Sequence, residues 1–278
     1  MLWTDPGGYD AYRVEPRFPH ALTDDARANW KVEAHYHSMR RHIPAAEQER
    51  IRRDGLHVAD LARHVDLFVL HYDVCGTSRR CFQVLQDERH LSVHFLLDVD
   101  GTIYQTLDLK ERAWHAADAN DRSIGIEIAQ IGAYPQADHE ALRKAYASDA
   151  NGPFVAFDRE PGELGIRTPN FVARPARADL VSGAIHGVPL WQYDFTPEQY
   201  AALGKLTAAL HRILPRMELE APRDASGSVL SRAMTPDEFA AFSGVIGHFH
   251  VTTAKSDPGP AFDWDRLFAE ARAASVDP

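Results

Sequence analysis

The run Gly247-His248-Phe249-His250-Val251-Thr252-Thr253-Ala254-Lys255-Ser256-Asp257-Pro258-Gly259-Pro260 places histidine, lysine and aspartate immediately before a rigid turn. His248 and Asp257 are nine positions apart and can face one metal ion if the loop between them folds back. Lys255 would then stand beside that ion. Zinc takes imidazole nitrogen and carboxylate oxygen, and its catalytic sites keep one position open for water. Two ligands do not suffice, so a third has to come from elsewhere. Its best source is Asp66-Leu67-Phe68-Val69-Leu70-His71-Tyr72, an apolar run that ends in a histidine before the loop Asp73-Val74-Cys75-Gly76-Thr77. A strand that delivers a polar side chain at its carboxyl end is where α/β folds commonly put sites. One histidine among fifteen is more often bonded to backbone than to metal; the distant His-Lys-Asp cluster is what raises His71 above the others.

Several elements must hold these residues. Asp66–Tyr72 reads as a buried strand, and Ser78–Glu88 as a helix capped by Ser78, with Cys81, Phe82 and Leu85 on one side. Val93–Asp98, the turn Asp98-Val99-Asp100-Gly101 and Thr102–Leu107 read as a β-hairpin. Ser123–Gln130 is another strand, with Ile124, Ile126 and Ile128 on one face and Glu127 on the other. Thr196-Pro197-Glu198 opens a helix that Pro215 ends, and Thr235-Pro236-Asp237-Glu238 repeats the start signal for a shorter one. Val245–Val251 is the strand or loop that bears His248, and Trp264, Leu267, Phe268 and Ala271 mark a terminal helix. Residues 1–60 read as an N-terminal extension packing on the core, with a polar helical stretch around Pro44–Arg53; residues 61–278 form the domain that holds the site. Residues 131–195 carry six prolines and little periodicity. Their aromatic content favours an ordered insertion or lid over a linker. The fold class expected is α/β, a central mixed β-sheet flanked by helices.

Composition narrows the function. The 278 residues are 45% hydrophobic and 25% charged, enough to bury a sizeable core. Thirty basic residues against forty acidic ones give a net charge of −10, which disfavours nucleic acid and anionic wall polymers as electrostatic partners. No run approaches the ~18 apolar residues of a membrane helix. The stretch Met1–Gly8 lacks the basic start and apolar core of a signal peptide. No oligomeric state follows from the sequence.

Six stretches, taken together and in order, resemble the zinc-dependent N-acetylmuramoyl-L-alanine amidases of the type 2 amidase and peptidoglycan-recognition-protein superfamily. They are Val69-Leu70-His71, Ser92 to Gln105, Ala113-Trp114-His115-Ala116, Ser123-Ile124-Gly125-Ile126-Glu127-Ile128, Gly247-His248 and Lys255 to Pro260. The resemblance covers the central and C-terminal core, and leaves the first 60 residues and the 131–195 segment unexplained. It implies one zinc ion on His71, His248 and Asp257, with His248 preferred to its rival His250 because the family ligand directly follows the glycine. It implies a zinc-bound water as nucleophile, Glu127 as general base and Lys255 as oxyanion stabiliser. Partial desolvation of Glu127 in an apolar strand should raise its pKa toward a useful range. Val93 stands where some relatives carry a catalytic tyrosine, so that residue is not available here, and His94 is expected to pack beneath the site.

By the same resemblance the loop bearing Trp114 and His115 borders the substrate groove, with Asn120 and Arg122 as weaker candidates on it; by their position in the insertion, Trp191 and His186 are expected to close over the substrate. The spacing of Cys75 and Cys81 is similar to the disulfide of many recognition proteins. If formed, it places the protein outside the cytoplasm; free thiols fit a reducing cytoplasm. The activity implied is hydrolysis of the amide between N-acetylmuramic acid and L-alanine in peptidoglycan or muropeptides. The alternatives are a non-catalytic peptidoglycan-binding module and a lytic effector with the same chemistry.

Overall fold

The computed structural model describes residues 39–54, 56–158 and 161–276. The expectation that residues 1–60 pack on the core is therefore seen only from residue 39 onward. Two short helices lead in, α1 (Ala45–Asp54) and α2 (Val58–His64), before strand β1 (Leu67–Tyr72). Then come α3 (Ser78–Gln83), which runs on as π-helical turns over Val84–Arg89, the hairpin β2 (Phe95–Leu97) and β3 (Ile103–Gln105), and β4 (Ser123–Ile128). The cap of α3 is Thr77 rather than Ser78: Thr77 has extended backbone angles and its side chain accepts from the Arg80 N–H, while Ser78 is already helical and buried.

Five strands form one mixed sheet in the order β3-β2-β4-β1-β9, where β9 is Gly244–Gly247. β2, β4, β1 and β9 are mutually parallel, and only β3 is antiparallel. Leu67, Phe68, Val69, Leu70, Ile124, Ile126, Val245 and Ile246 are fully buried, as strands covered on both faces require. One face packs on helix α6 (Pro197–Ile213) and the terminal helix α8 (Trp264–Val276). Thr196 caps α6 in a reciprocal capping box with Gln199, and Pro197 occupies its first turn. Gly204 lets α6 and α8 approach closely, since a Cβ there would fall 2.4 Å from the Cβ of Glu270. The second start signal yields α7 (Pro236–Ala241), capped by Thr235.

Segment 131–195 is more regular than its composition suggests. It contains α4 (Glu140–Ala145), the hairpin β5 (Tyr146–Asp149) with β6 (Gly152–Val155), the short α5 (Pro161–Leu164), and the hairpin β7 (Val181–Ile185) with β8 (Val188–Gln192). None of its strands joins the main sheet.

Candidate metal centre

Parallel pairing brings three strand ends to one edge. His71 in β1 is in register with Glu127 in β4, and Leu70 is in register with Gly247 in β9, so His248 emerges beside His71. His71, His248 and Asp257 are buried, and one potential ligand atom from each lies within 4.8 Å of the others. The Nδ1–H groups of His71 and His248 both donate to Asp257 Oδ2, at 2.8 and 3.2 Å. Burial pushes the His71 imidazole down to about 4. Burial alone would raise the Asp257 carboxyl, but the bonds from His248 and His71 carry it below the usual carboxylate range. A neutral His71 beside an ionised Asp257 is the protonation state a metal requires of its ligands. The donor set therefore fits zinc.

His250 faces the other way. Its Nδ1 accepts from the Gly247 N–H at 2.9 Å and its Nε2–H donates to the Leu230 carbonyl at 2.8 Å, so both ring nitrogens are used away from the cluster. Gly247 gives the returning loop room, because a Cβ there would meet Pro258 Cδ at 2.5 Å.

The cluster lies in an open cleft of about 220 Å³ whose lining also includes Tyr72, Val74, Trp114, Glu127 and Lys255. The Glu127 carboxylate forms no hydrogen bond among the described residues. Burial, then the nearby Asp257 and Asp73 carboxylates, raise its pKa well above the ordinary value, and Lys255 opposes them. Lys255 is exposed.

The remaining expected residues divide. Trp114 lines the cleft, with the guanidinium groups of Arg41 and Arg112 over its ring at 5.3 and 5.2 Å. His115 also reaches the cleft, but its ring is engaged within the protein: Nδ1–H donates to His71 Nε2 at 2.9 Å, and Nε2 accepts from the Ser123 hydroxyl at 3.2 Å. It lies flat on β4 because Gly125 has no side chain; a Cβ there would fall 2.5 Å from His115 Cε1. Asn120, expected in the groove, is buried instead, and its Oδ1 accepts from the N–H groups of His115 and Ala116. Arg122 likewise turns inward, to Asp66 and the carbonyls of Phe239 and Phe242. His94 is fully buried, accepting at Nδ1 from the Gly125 N–H and donating from Nε2 to the Glu111 carbonyl; burial lowers its pKa to about 3.

Among the described residues, none of 131–195 lines this cleft. Trp191 pairs by backbone with Tyr134. The insertion instead borders a neighbouring cleft of about 400 Å³, through Phe157, Asp158 and Leu164. The possible Cys75–Cys81 disulfide is not formed; both thiols are free, and that of Cys75 is hydrogen-bonded to that of Cys81.

Arg40 was not among the expected site residues. Its fully buried guanidinium donates to the carbonyls of Leu109, Glu111, Asn120, Asp121 and Ser123, clamping the loop that carries Trp114 and His115.

Residues 61–151 match the family Amidase_2, described as N-acetylmuramoyl-L-alanine amidase. The match covers residues 61–151 of the 278. It holds His71, Trp114, His115 and Glu127, while His248, Lys255 and Asp257 lie beyond it. No curated protein matches the chain significantly. Among solved structures, the chain is similar to AmiD of E. coli in complex with anhydro-N-acetylmuramic acid-L-Ala-D-γ-Glu-L-Lys, at 19% identity and a TM-score of 0.41, covering 74% of this chain and 57% of that one. It is also similar to a selenomethionine derivative of AmpD, at 19% identity and a TM-score of 0.37 over 90% of this chain and 99% of that one. Staphylococcus aureus AmiA with its ligand shows 9% identity and a TM-score of 0.40 over 87% and 95%. The chain thus spans little more than half the length of the AmiD structure.

Proposed function

We propose that the protein hydrolyses the amide between N-acetylmuramic acid and L-alanine in peptidoglycan or muropeptides, with one zinc ion held by His71, His248 and Asp257. The carrying observation is the convergence of those three buried side chains beside the unpartnered Glu127 carboxylate, within a chain that contains an amidase stretch. When bound, zinc supplies Lewis acidity that makes water a competent nucleophile near neutral pH. Glu127 takes the proton from the attacking water as oxygen adds to the lactyl carbonyl, and returns it to the alanine nitrogen as the C–N bond breaks. Its raised pKa suits both transfers. Lys255 offers fixed positive charge to the oxyanion that develops on the carbonyl oxygen. His115 orients His71, and Asn120 holds the backbone of His115. Trp114 presents an apolar wall to the substrate.

A non-catalytic recognition module would need no complete ligand set; three buried side chains that could hold a metal support the catalytic reading instead. The test is incubation of zinc-loaded protein with muropeptides and detection of free stem peptide by mass spectrometry. Release by the wild type and its loss in His71→Ala are expected. Absence of release, or full activity in that variant, contradicts the reading.

A further inference from the structure

We propose that the β7–β8 hairpin of the insertion is a brace that positions the Lys255–Asp257 loop, with His186 and Gln192 as its positioning residues; this assignment of a role to Lys255 rests on the function proposed above. Neither residue lines the cleft, so both act through the loop. Lys255 is exposed, and its long side chain loses much conformational freedom when aimed at one point. A useful oxyanion stabiliser has to be held in advance. What fixes it is therefore the backbone it hangs from. Within its own loop that backbone has only a long bond, from the Lys255 N–H to the Thr252 carbonyl at 3.4 Å.

The core holds the residues that follow, through the Tyr72 hydroxyl 2.6 Å from the Ser256 Oγ and the Phe249 N–H donating to the Asp257 carbonyl at 3.1 Å, and the hairpin holds Lys255 itself. Ile185 and Leu190 root it in the main core, in the cluster that includes Phe249 and Phe262. Its two-residue turn is His186-Gly187, both at positive φ, 53° and 76°. The His186 N–H donates to the Ser231 carbonyl at 2.7 Å, and its Nδ1 accepts from the Ala233 N–H at 3.3 Å. That leaves the ring proton on Nε2, which donates to the Lys255 carbonyl at 2.9 Å. At the other end of β8, Gln192 has no solvent exposure. Its Nε2 donates to the Pro258 carbonyl and its Oε1 accepts from the Ala261 N–H, both at 3.0 Å. The loop is shaped to receive it: Gly259 sits at φ +89°, and a Cβ there would fall 2.1 Å from Gln192 Oε1. Gly183 of β7 meets Pro260 in the same way, at 2.8 Å. The loop is thus held on both sides of Asp257, by His186 before it and Gln192 after it.

The test compares His186→Ala with His186→Gln, which keeps a side-chain N–H donor, in the full-length zinc-loaded protein. Amide hydrogen exchange over residues 252–261 and steady-state kinetics on a muropeptide are measured together. His186→Ala should speed exchange in 252–257 by about tenfold and lower kcat by roughly tenfold at unchanged KM, less than the ~10²-fold that a 1 Å misplacement can cause. His186→Gln should restore both. In a Lys255→Ala background, His186→Ala should cost nothing further in kcat, because its effect runs through that side chain. Unchanged exchange in His186→Ala, or an equal loss of kcat with and without Lys255, overturns the brace. A wild type that hydrolyses no muropeptide overturns the proposed function alone, and the exchange comparison still decides the brace.

Discussion

The sheet and the 131–195 insertion serve the same cleft by different physics. In the sheet, parallel register alone carries His71, Glu127 and His248 to one edge. A slip of one residue would turn each of these side chains to the opposite face, so the hydrophobic pattern that fixes the strands also fixes the chemistry. Among the described residues the insertion makes no strand pairing with that sheet, and it reaches the Lys255–Ala261 loop through polar contacts that include His186 to Lys255 and Gln192 to Pro258 and Ala261. Under the proposed function the sheet sets which groups react, and under the proposed brace the insertion sets how firmly one loop is held.

Variants of the two regions should therefore differ in kind as well as in size. The largest effect is expected from Glu127→Gln, which keeps the shape of the side chain but removes the base: kcat should fall by about 10²–10⁴-fold with bound zinc unchanged. If kcat survives, register places Glu127 without giving it the proton transfer, and the contrast with the insertion weakens. Arg40→Met comes next. It leaves five loop carbonyls without their donor, and chemical denaturation should show a loss of about 3 kcal/mol. An unaltered midpoint would mean that the Trp114–His115 loop is held by its own packing.

The smallest effect concerns Asp98, in the turn between β2 and β3. Burial pushes its carboxyl up to about 7, and its Oδ2 has no hydrogen-bond partner. The folded state therefore binds this proton more tightly than the unfolded chain, whose aspartates titrate near 4. The resulting stability is complete below about pH 4 and is lost as pH rises to about 7. Asp98→Asn should flatten the melting-temperature profile across that window and raise the melting temperature at pH 8. An unchanged slope would assign the pH dependence to other groups.

Much of the sheet was legible in the sequence because its strands are apolar runs bounded by turn signals. β1 and β4 lie within one or two residues of their expected limits, and the Asp98–Gly101 turn marks the β2–β3 hairpin. The grouping of His71, His248 and Asp257 was legible because each stands at a strand end or in a turn. The hairpins of the insertion were missed because Val181-Ser-Gly-Ala-Ile and Gly152-Pro-Phe-Val lack strong alternation. Their signals were the tight turns, Asn151-Gly152 and His186-Gly187, glycine dipeptides that favour positive φ. Asn120 was misplaced because a buried amide serving two backbone N–H groups looks, in sequence, like any polar loop residue. Arg40 was invisible for a related reason: its partners are carbonyls 69 to 83 residues away, and no local pattern announces them.

The proposed function requires one ion shared by His71, His248 and Asp257. Anomalous scattering at the zinc edge from crystals of zinc-loaded protein tests this directly. The expected result is a single strong peak among those three side chains, lost in Asp257→Ala. A peak on His250, a peak away from His71, or no peak at all would contradict it.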